Sequence, residues 1–167
     1  DRDYALEAVR VAAESGAEVI ALCDTNGGML PDQVADVVRD VVLSTGARIG
    51  IHCHNDTGCA VANSMAAVDA GATHVQGTVN GYGERTGNAD LLTVVANLQL
   101  KKGLELLEPH RLQESTRIAH AIAEVTNVPA YSRQPYVGSS AFAHKAGLHA
   151  SAIKIAPDLY QHMDPKH

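Results

Sequence analysis

The chain has 167 residues, 46% of them apolar and 19% charged, a globular balance that excludes a disordered or low-complexity protein. Thirteen Lys and Arg against nineteen Asp and Glu leave a net charge of −6, which argues against nucleic acid or an anionic membrane as partner while leaving room for a local basic patch. No apolar run approaches the roughly 18 residues of a membrane span, and no basic-then-apolar leader opens the sequence. Three cysteines (Cys23, Cys53 and Cys59) without a CxxC motif argue against a disulfide framework and are most simply buried small residues. A reducing cytoplasm is the expected setting.

In chain order, residues 4–15 predict a helix with Leu6, Val9 and Ala13 on one face, closed by Gly16-Ala17. EVIALCD (18–24) predicts a strand. Pro31 begins a second helix whose Val34, Val37, Val38, Val41 and Val42 recur at helical spacing, and Gly46-Ala47 ends it. RIGIHCH (48–54) predicts the next strand. Val61, Met65 and Val68 mark a third helix, stopped by Gly71-Ala72 before the strand THVQGTV (73–79). Leu91, Val94, Val95 and Leu98 mark a fourth helix, ending near Gly103. The recurring Gly-Ala pairs fit helix C-termini that need a left-handed residue. Repeated helix, glycine, strand and loop describe βα units of a parallel sheet. The repeat then stops: an amphipathic helix with Ile118, Ile122 and Val125 follows, and 128–167 reads as an irregular accessory region.

Parallel α/β folds gather functional groups at the carboxyl ends of their strands. Here those ends carry Asp24-Thr25-Asn26, His52-Cys53-His54-Asn55-Asp56 and Thr78-Val79-Asn80. His52 and His54, two residues apart on a strand, share one face, and Ile49, Ile51 and Cys53 take the other. Two imidazoles on one face form half of a divalent metal site, or else two hydrogen-bonded polar groups at a loop mouth. NGYGERTGN (80–88) is glycine-rich but misses G-x-G-x-x-G by one residue and lacks the P-loop lysine. On its own it reads equally as a connection with Asn88 as N-cap and Glu84-Arg85 as a solvated pair. His144 and His149 are candidate general bases or exposed loop residues, and Tyr160 is a packing residue or an acid.

Together, LCDTNGG (22–28), HCHNDTG (52–58), NGYGERTGN (80–88) and VGSSAFAHKAGLH (137–149) resemble the acetyl-CoA-dependent 2-oxo acid condensing enzymes of the HMGL-like TIM-barrel group. These are the 2-isopropylmalate, homocitrate and citramalate synthases, and the Asp-Thr-Asn-Gly-Gly form is most similar to the citramalate branch. The resemblance implies a metal-dependent Claisen-type condensation of acetyl-CoA with a 2-oxo acid, pyruvate on motif style, followed by thioester hydrolysis. It makes His52, His54 and Asn88 metal ligands (for Mg, Mn or Zn) and Thr25 the holder of the substrate carboxylate. His149 and Tyr160 become proton-transfer residues, and Glu84 a site residue of unspecified role.

The same resemblance implies the C-terminal part of a (β/α)8 barrel, about three βα units over 1–108, then a helical accessory subdomain over 109–167. The family's first-strand Arg-Asp pair has no counterpart, since Asp1-Arg2-Asp3 precedes a helix. The expectation is therefore an internal fragment that is inactive and aggregation-prone alone, its parent a cytoplasmic homodimer. A lyase or carboxytransferase of the same superfamily, and an inactive truncated segment, are the competing readings.

Overall fold

The computed structural model describes residues 1–165. They fall into two compact units, Asp1–Val94 and Val95 onward.

The first unit alternates helices and strands as the repeat predicts: α1 (Arg2–Glu14), β1 (Ile20–Asp24), α2 (Pro31–Thr45), β2 (Ile49–Cys53), α3 (Ala60–Asp69) and β3 (His74–Gln76). The three strands form one parallel sheet in the order β1-β2-β3. Asp1 caps α1 by accepting from the backbone N–H of Asp3 and Tyr4 at 3.0 and 3.2 Å, and Arg2 forks onto both carboxylate oxygens of Asp40 at 2.7 Å. Gly16, Gly46 and Gly71 all carry positive φ, as expected of helix stops.

Register decides which sheet face is buried. Ile20 pairs with Ile49 and Leu22 with Ile51, so one face is apolar and lies under the helices, with Asp24 beside Cys53 at its carboxyl end. Ile49, Ile51 and Cys53 are buried there, and α2 and α3 pack on each other with α3 against β2. Val34, Val38 and Val41 complete this core, each worth roughly 1.5–3 kcal/mol in burial. The opposite face carries Ala21, Cys23, Gly50, His52, His74 and Gln76, with Cys23 and Gln76 exposed.

Four details differ from expectation. On α3 the buried stripe is Ala60, Asn63, Ser64 and Ala67, while Val61, Met65 and Val68 are half-buried. Small side chains let α3 lie close to its neighbours, and Asn63 uses its burial to donate to the Met29 carbonyl at 2.8 Å. The third strand is three residues long, because Gly77 lies against the Ala89 carbonyl and Thr78 turns to bond the 89–91 segment. Of the cysteines only Cys53 is buried; Cys23 is exposed and Cys59 half-buried. Parity explains it, since Cys23 pairs with His52 on the open face. Burial pushes the Cys53 thiol up to about 11. Iodoacetamide at pH 8 should therefore label Cys23 first and leave Cys53 unmodified until the protein unfolds, as peptide mass spectrometry would read.

Helix α4 (Leu91–Leu100) crosses from the first unit into the second. The second unit also holds a 3-10 turn (Pro109–Glu114), α5 (Ser115–Thr126), α6 (Gly147–Ile155) and a 3-10 turn (Pro157–Leu159). On α5 the fourth difference appears: Ala119 and Ala123 are buried, Ile118 and Ile122 half-buried, and Val125 is exposed. The apolar stripe read from the sequence is thus rotated toward the alanines.

Candidate functional site at the carboxyl ends of the strands

The site is assembled where β1, β2 and β3 end. Past β2 the chain enters an irregular segment that meets residues 87–89 edge to edge. Asn55 N–H donates to the Gly87 carbonyl at 2.9 Å, Ala89 N–H donates to the Cys53 carbonyl at 3.0 Å, and His54 faces Asn88 as an antiparallel bridge. The loop from β3 is thereby folded back onto the histidine strand. Gly87 makes this possible: its φ is +89°, and a Cβ there would collide with the Gly81 carbonyl. Gly87→Ala should destabilise the first unit by more than about 1–3 kcal/mol, seen as a lowered urea midpoint, since strain and collision add.

His52 and His54 lie side by side as the strand parity predicts, ring centroids 5.1 Å apart and planes perpendicular. The His54 Nδ1 is 3.2 Å from the Asp24 carbonyl, which also accepts from the His54 backbone N–H at 3.3 Å. That carbonyl selects the tautomer with the proton on Nδ1 and leaves Nε2 a lone pair for a ligand. His52 Nδ1 is buried with no hydrogen-bond partner.

Asn88 is not the N-cap of α4. Asp90 takes that place, accepting from Leu92 N–H at 3.3 Å and from the Thr93 hydroxyl at 2.5 Å. The Asn88 side-chain oxygen is left buried and unpartnered beside Gly83, on the residue whose backbone bridges to His54. The two imidazoles are adjacent, and His52 Nδ1 and the Asn88 oxygen are buried polar atoms without the hydrogen bond such atoms ordinarily make. Such a donor set suits a divalent cation that accepts nitrogen and neutral oxygen. Among the described residues no three His, Cys, Asp or Glu side chains cluster as a metal site.

Thr25 is exposed on the wall of a neighbouring cleft of about 790 Å3, which Cys23, Asp56 and Arg85 also line. Here the structure adds residues that the sequence reading missed. Arg85 does not pair with Glu84 as a solvated couple. Its Nε and Nη2 donate to the two carboxylate oxygens of Asp56 at 2.8 and 2.9 Å, and Nη2 also donates to the Thr25 carbonyl at 2.8 Å. The guanidinium holds the Asp56 carboxyl below the usual carboxylate range, and the carboxylate in turn raises Arg85. Asp56 presses on Gly27, where a Cβ would collide with its carboxylate. One ionic clasp therefore ties together the loops that follow β1, β2 and β3. Arg85 adopts a positive φ of 57° to reach it, a sparsely populated conformation for a side-chain-bearing residue. Asp56 of a DTG triplet and Arg85 of a GER triplet, 29 positions apart, held the signal, but nothing local announced that they meet. Glu84 is exposed, and its backbone carbonyl accepts from Gly87 N–H at 2.9 Å.

In the second unit His149 and Tyr160 come together, rings stacked at a centroid distance of 4.1 Å and 27° between planes. His144 lies 6.0 Å from His149. The stack joins a histidine on α6 to a tyrosine that follows the last 3-10 turn.

Residues 1–124 match the HMGL-like family. The chain is 66% identical over 164 residues to the (R)-citramalate synthase of Streptomyces coelicolor, covering 98% of this chain and 31% of that protein. It is 42% identical to the 2-isopropylmalate synthase of Sulfurisphaera tokodaii, covering 99% of this chain and 43% of that one. Among solved structures, the Bacillus subtilis HMG-CoA lyase superposes with a TM-score of 0.68 at 26% identity, over 80% of this chain and 46% of the lyase. The chain spans about a third of the length of the first of these relatives. A parallel βα sheet with its functional groups at the strand ends, matched over most of its length, leads to one conclusion: the chain belongs to the HMGL-like family.

Proposed function

We propose that this chain is part of a metal-dependent acyltransferase that condenses acetyl-CoA with a 2-oxo acid, pyruvate giving citramalate, in branched-chain amino-acid biosynthesis. The observation that carries the reading is the pair of adjacent imidazoles, His54 oriented through the Asp24 carbonyl and His52 beside it, with Asn88 bridged to His54 through the backbone. The likeness to (R)-citramalate synthases favours pyruvate over the larger 2-oxo acids.

His52, His54 and Asn88 would hold the divalent metal (Mg, Mn or Zn), which when bound supplies Lewis-acid stabilisation of charge on the ketone oxygen. Thr25 holds the carboxylate of the 2-oxo acid, its loop fixed by Arg85. His149, stacked on Tyr160, receives the methyl proton of acetyl-CoA. The resulting carbanion carbon bonds to the ketone carbon, and the ketone oxygen takes up a proton. Water then cleaves the thioester, releasing CoA and a 2-hydroxy dicarboxylate. Glu84 stays near this chemistry without an assigned step.

In this reading the three βα units are part of a (β/α)8 barrel, residues 1–108 belong to its catalytic domain, and 109–167 begin a helical accessory subdomain. The parent is a cytoplasmic homodimer. The lyase likeness keeps a second reading alive, in which the same histidines serve carbon–carbon cleavage. Release of CoA from acetyl-CoA by the full-length protein, across pyruvate, 2-oxoisovalerate and 2-oxoglutarate, separates the two. Release dependent on pyruvate supports the condensation; release with none of them, together with cleavage of a 3-hydroxyacyl-CoA, supports the lyase.

A further inference from the structure

The second unit contains a cavity of about 510 Å3 whose lining residues take no step in the proposed reaction. Its polar lining is Arg133, Lys145, Ser140, Tyr136 and His162, and it includes no carboxylate. In a chain of net charge −6 this is an unusual local excess of cations. Arg133 is also unusual among the arginines. The seven others each lie against an acceptor, from Arg2 on Asp40 to Arg117 on Glu114. Among the described residues neither Arg133 nor Lys145 has an ion-pair or hydrogen-bond partner.

The frame around them is fixed. Tyr136 sits at a positive φ of 66°, a strained conformation for a bulky side chain. Its hydroxyl donates to Asn97 at 2.5 Å, and its ring meets His162 edge-on at 5.2 Å. Gly138 N–H donates to the Gln134 carbonyl at 3.0 Å and Ser140 N–H to the Ser132 carbonyl at 2.8 Å, closing the turn over buried Gln134 and Val137. Lys101 donates through its ammonium to the His162 carbonyl and adds a third cation nearby. Burial and Lys101 lower the His162 ionisation, so that it presents a neutral ring. Asp158 and Asp164 line a separate hollow that shares His162.

We propose that this cavity binds a phosphate-bearing small molecule through Arg133, Lys145 and Ser140. A guanidinium fork, an ammonium and a hydroxyl match the many acceptor oxygens of a phosphate, and the arginine and lysine supply the charge. The volume exceeds that of a bare phosphate and leaves room for the rest of a phosphate ester.

The test is calorimetric titration of the full-length protein with inorganic phosphate, AMP, adenosine and acetate at constant ionic strength. Phosphate and AMP are expected to bind, AMP more tightly, with adenosine and acetate silent. Equal affinity for phosphate and AMP would assign the site to the free ion and still support the phosphate chemistry. Arg133→Ala and Lys145→Ala should each weaken binding about tenfold, and Arg133→Lys less. Both side chains are exposed, so circular dichroism and Tm should stay at wild-type values. Absence of binding by both phosphate probes, acetate binding as tightly as phosphate, or undiminished affinity in the double alanine variant would overturn the proposal.

Discussion

Replacing His52 by alanine in the full-length protein is expected to reduce metal retention and condensation by at least about a hundredfold while leaving the fold intact. The magnitude follows from the effect of outer partners of metal ligands, whose loss alone typically costs 10–100-fold. The fold should survive because His52 Nδ1 makes no hydrogen bond that the substitution would break. Removing a buried, unpaired polar atom relieves a desolvation cost as well as losing packing, so unfolding free energy should change by no more than about 1 kcal/mol. His54→Ala differs, because it also removes the contact to the Asp24 carbonyl. Asn88→Ala should weaken metal binding by only about tenfold, since a neutral amide oxygen is a poorer ligand than an imidazole. Equilibrium dialysis with Mn2+ or Zn2+ measures retention and CoA release measures turnover. Intact retention in His52→Ala would remove the metal assignment.

Opening the Arg85 clasp should have the second largest effect. Arg85→Ala releases the Thr25 carbonyl and frees Asp56 at once, and a displacement of about 1 Å at Thr25, in its proposed role of holding substrate, can cost about a hundredfold. The expected loss is 10- to 100-fold in kcat/KM for the 2-oxo acid, with little change in KM for acetyl-CoA. Arg85→Lys should recover only part of it, because an ammonium cannot fork onto both carboxylate oxygens while also reaching a carbonyl. Equal losses for both substrates would point to general unfolding instead.

The clasp also carries a pH signature. Asp56 has a folded-state pKa below its ordinary value because the Arg85 guanidinium bonds its ionised form. Its contribution to stability is therefore full above the ordinary carboxylate range and is lost as pH falls through the depressed folded value. Both partners are partly exposed, so salt screens the effect and it should shrink at high ionic strength. Denaturant unfolding of wild type and Asp56→Asn should differ at pH 7 and converge in strong acid. A constant difference across that range would remove the ionic role of Asp56.

Local chemistry made much of this legible from the sequence. The Gly-Ala pairs at 16, 46 and 71 located helix ends because few residues adopt a left-handed backbone readily, and each glycine has the positive φ this requires. The His-x-His spacing placed both imidazoles on one face because strand parity is two, and the rings are adjacent. Side-chain volume was harder to anticipate. Helix α3 buries Ala60, Asn63, Ser64 and Ala67, and α5 buries Ala119 and Ala123, because close approach of neighbouring elements selected small residues over the valines and isoleucines. Cys23 shows the same limit: an apolar strand reads as buried throughout until pairing assigns one of its faces to the open side.

By itself the sequence determined the βα repeat, the strand ends that carry the polar residues and the motifs of the HMGL-like family, because all of these depend on neighbours within a few positions. Only the tertiary structure decided how the side chains are used. The Asp24 carbonyl that orients His54 is a backbone atom common to every residue, so no motif can mark it. Asn88 keeps a free oxygen because Asp90 caps the helix in its place, an outcome settled by where the chain turns. Arg85 reaches Asp56 across 29 positions of sequence, and the parallel sheet brings them together by setting its strand ends side by side.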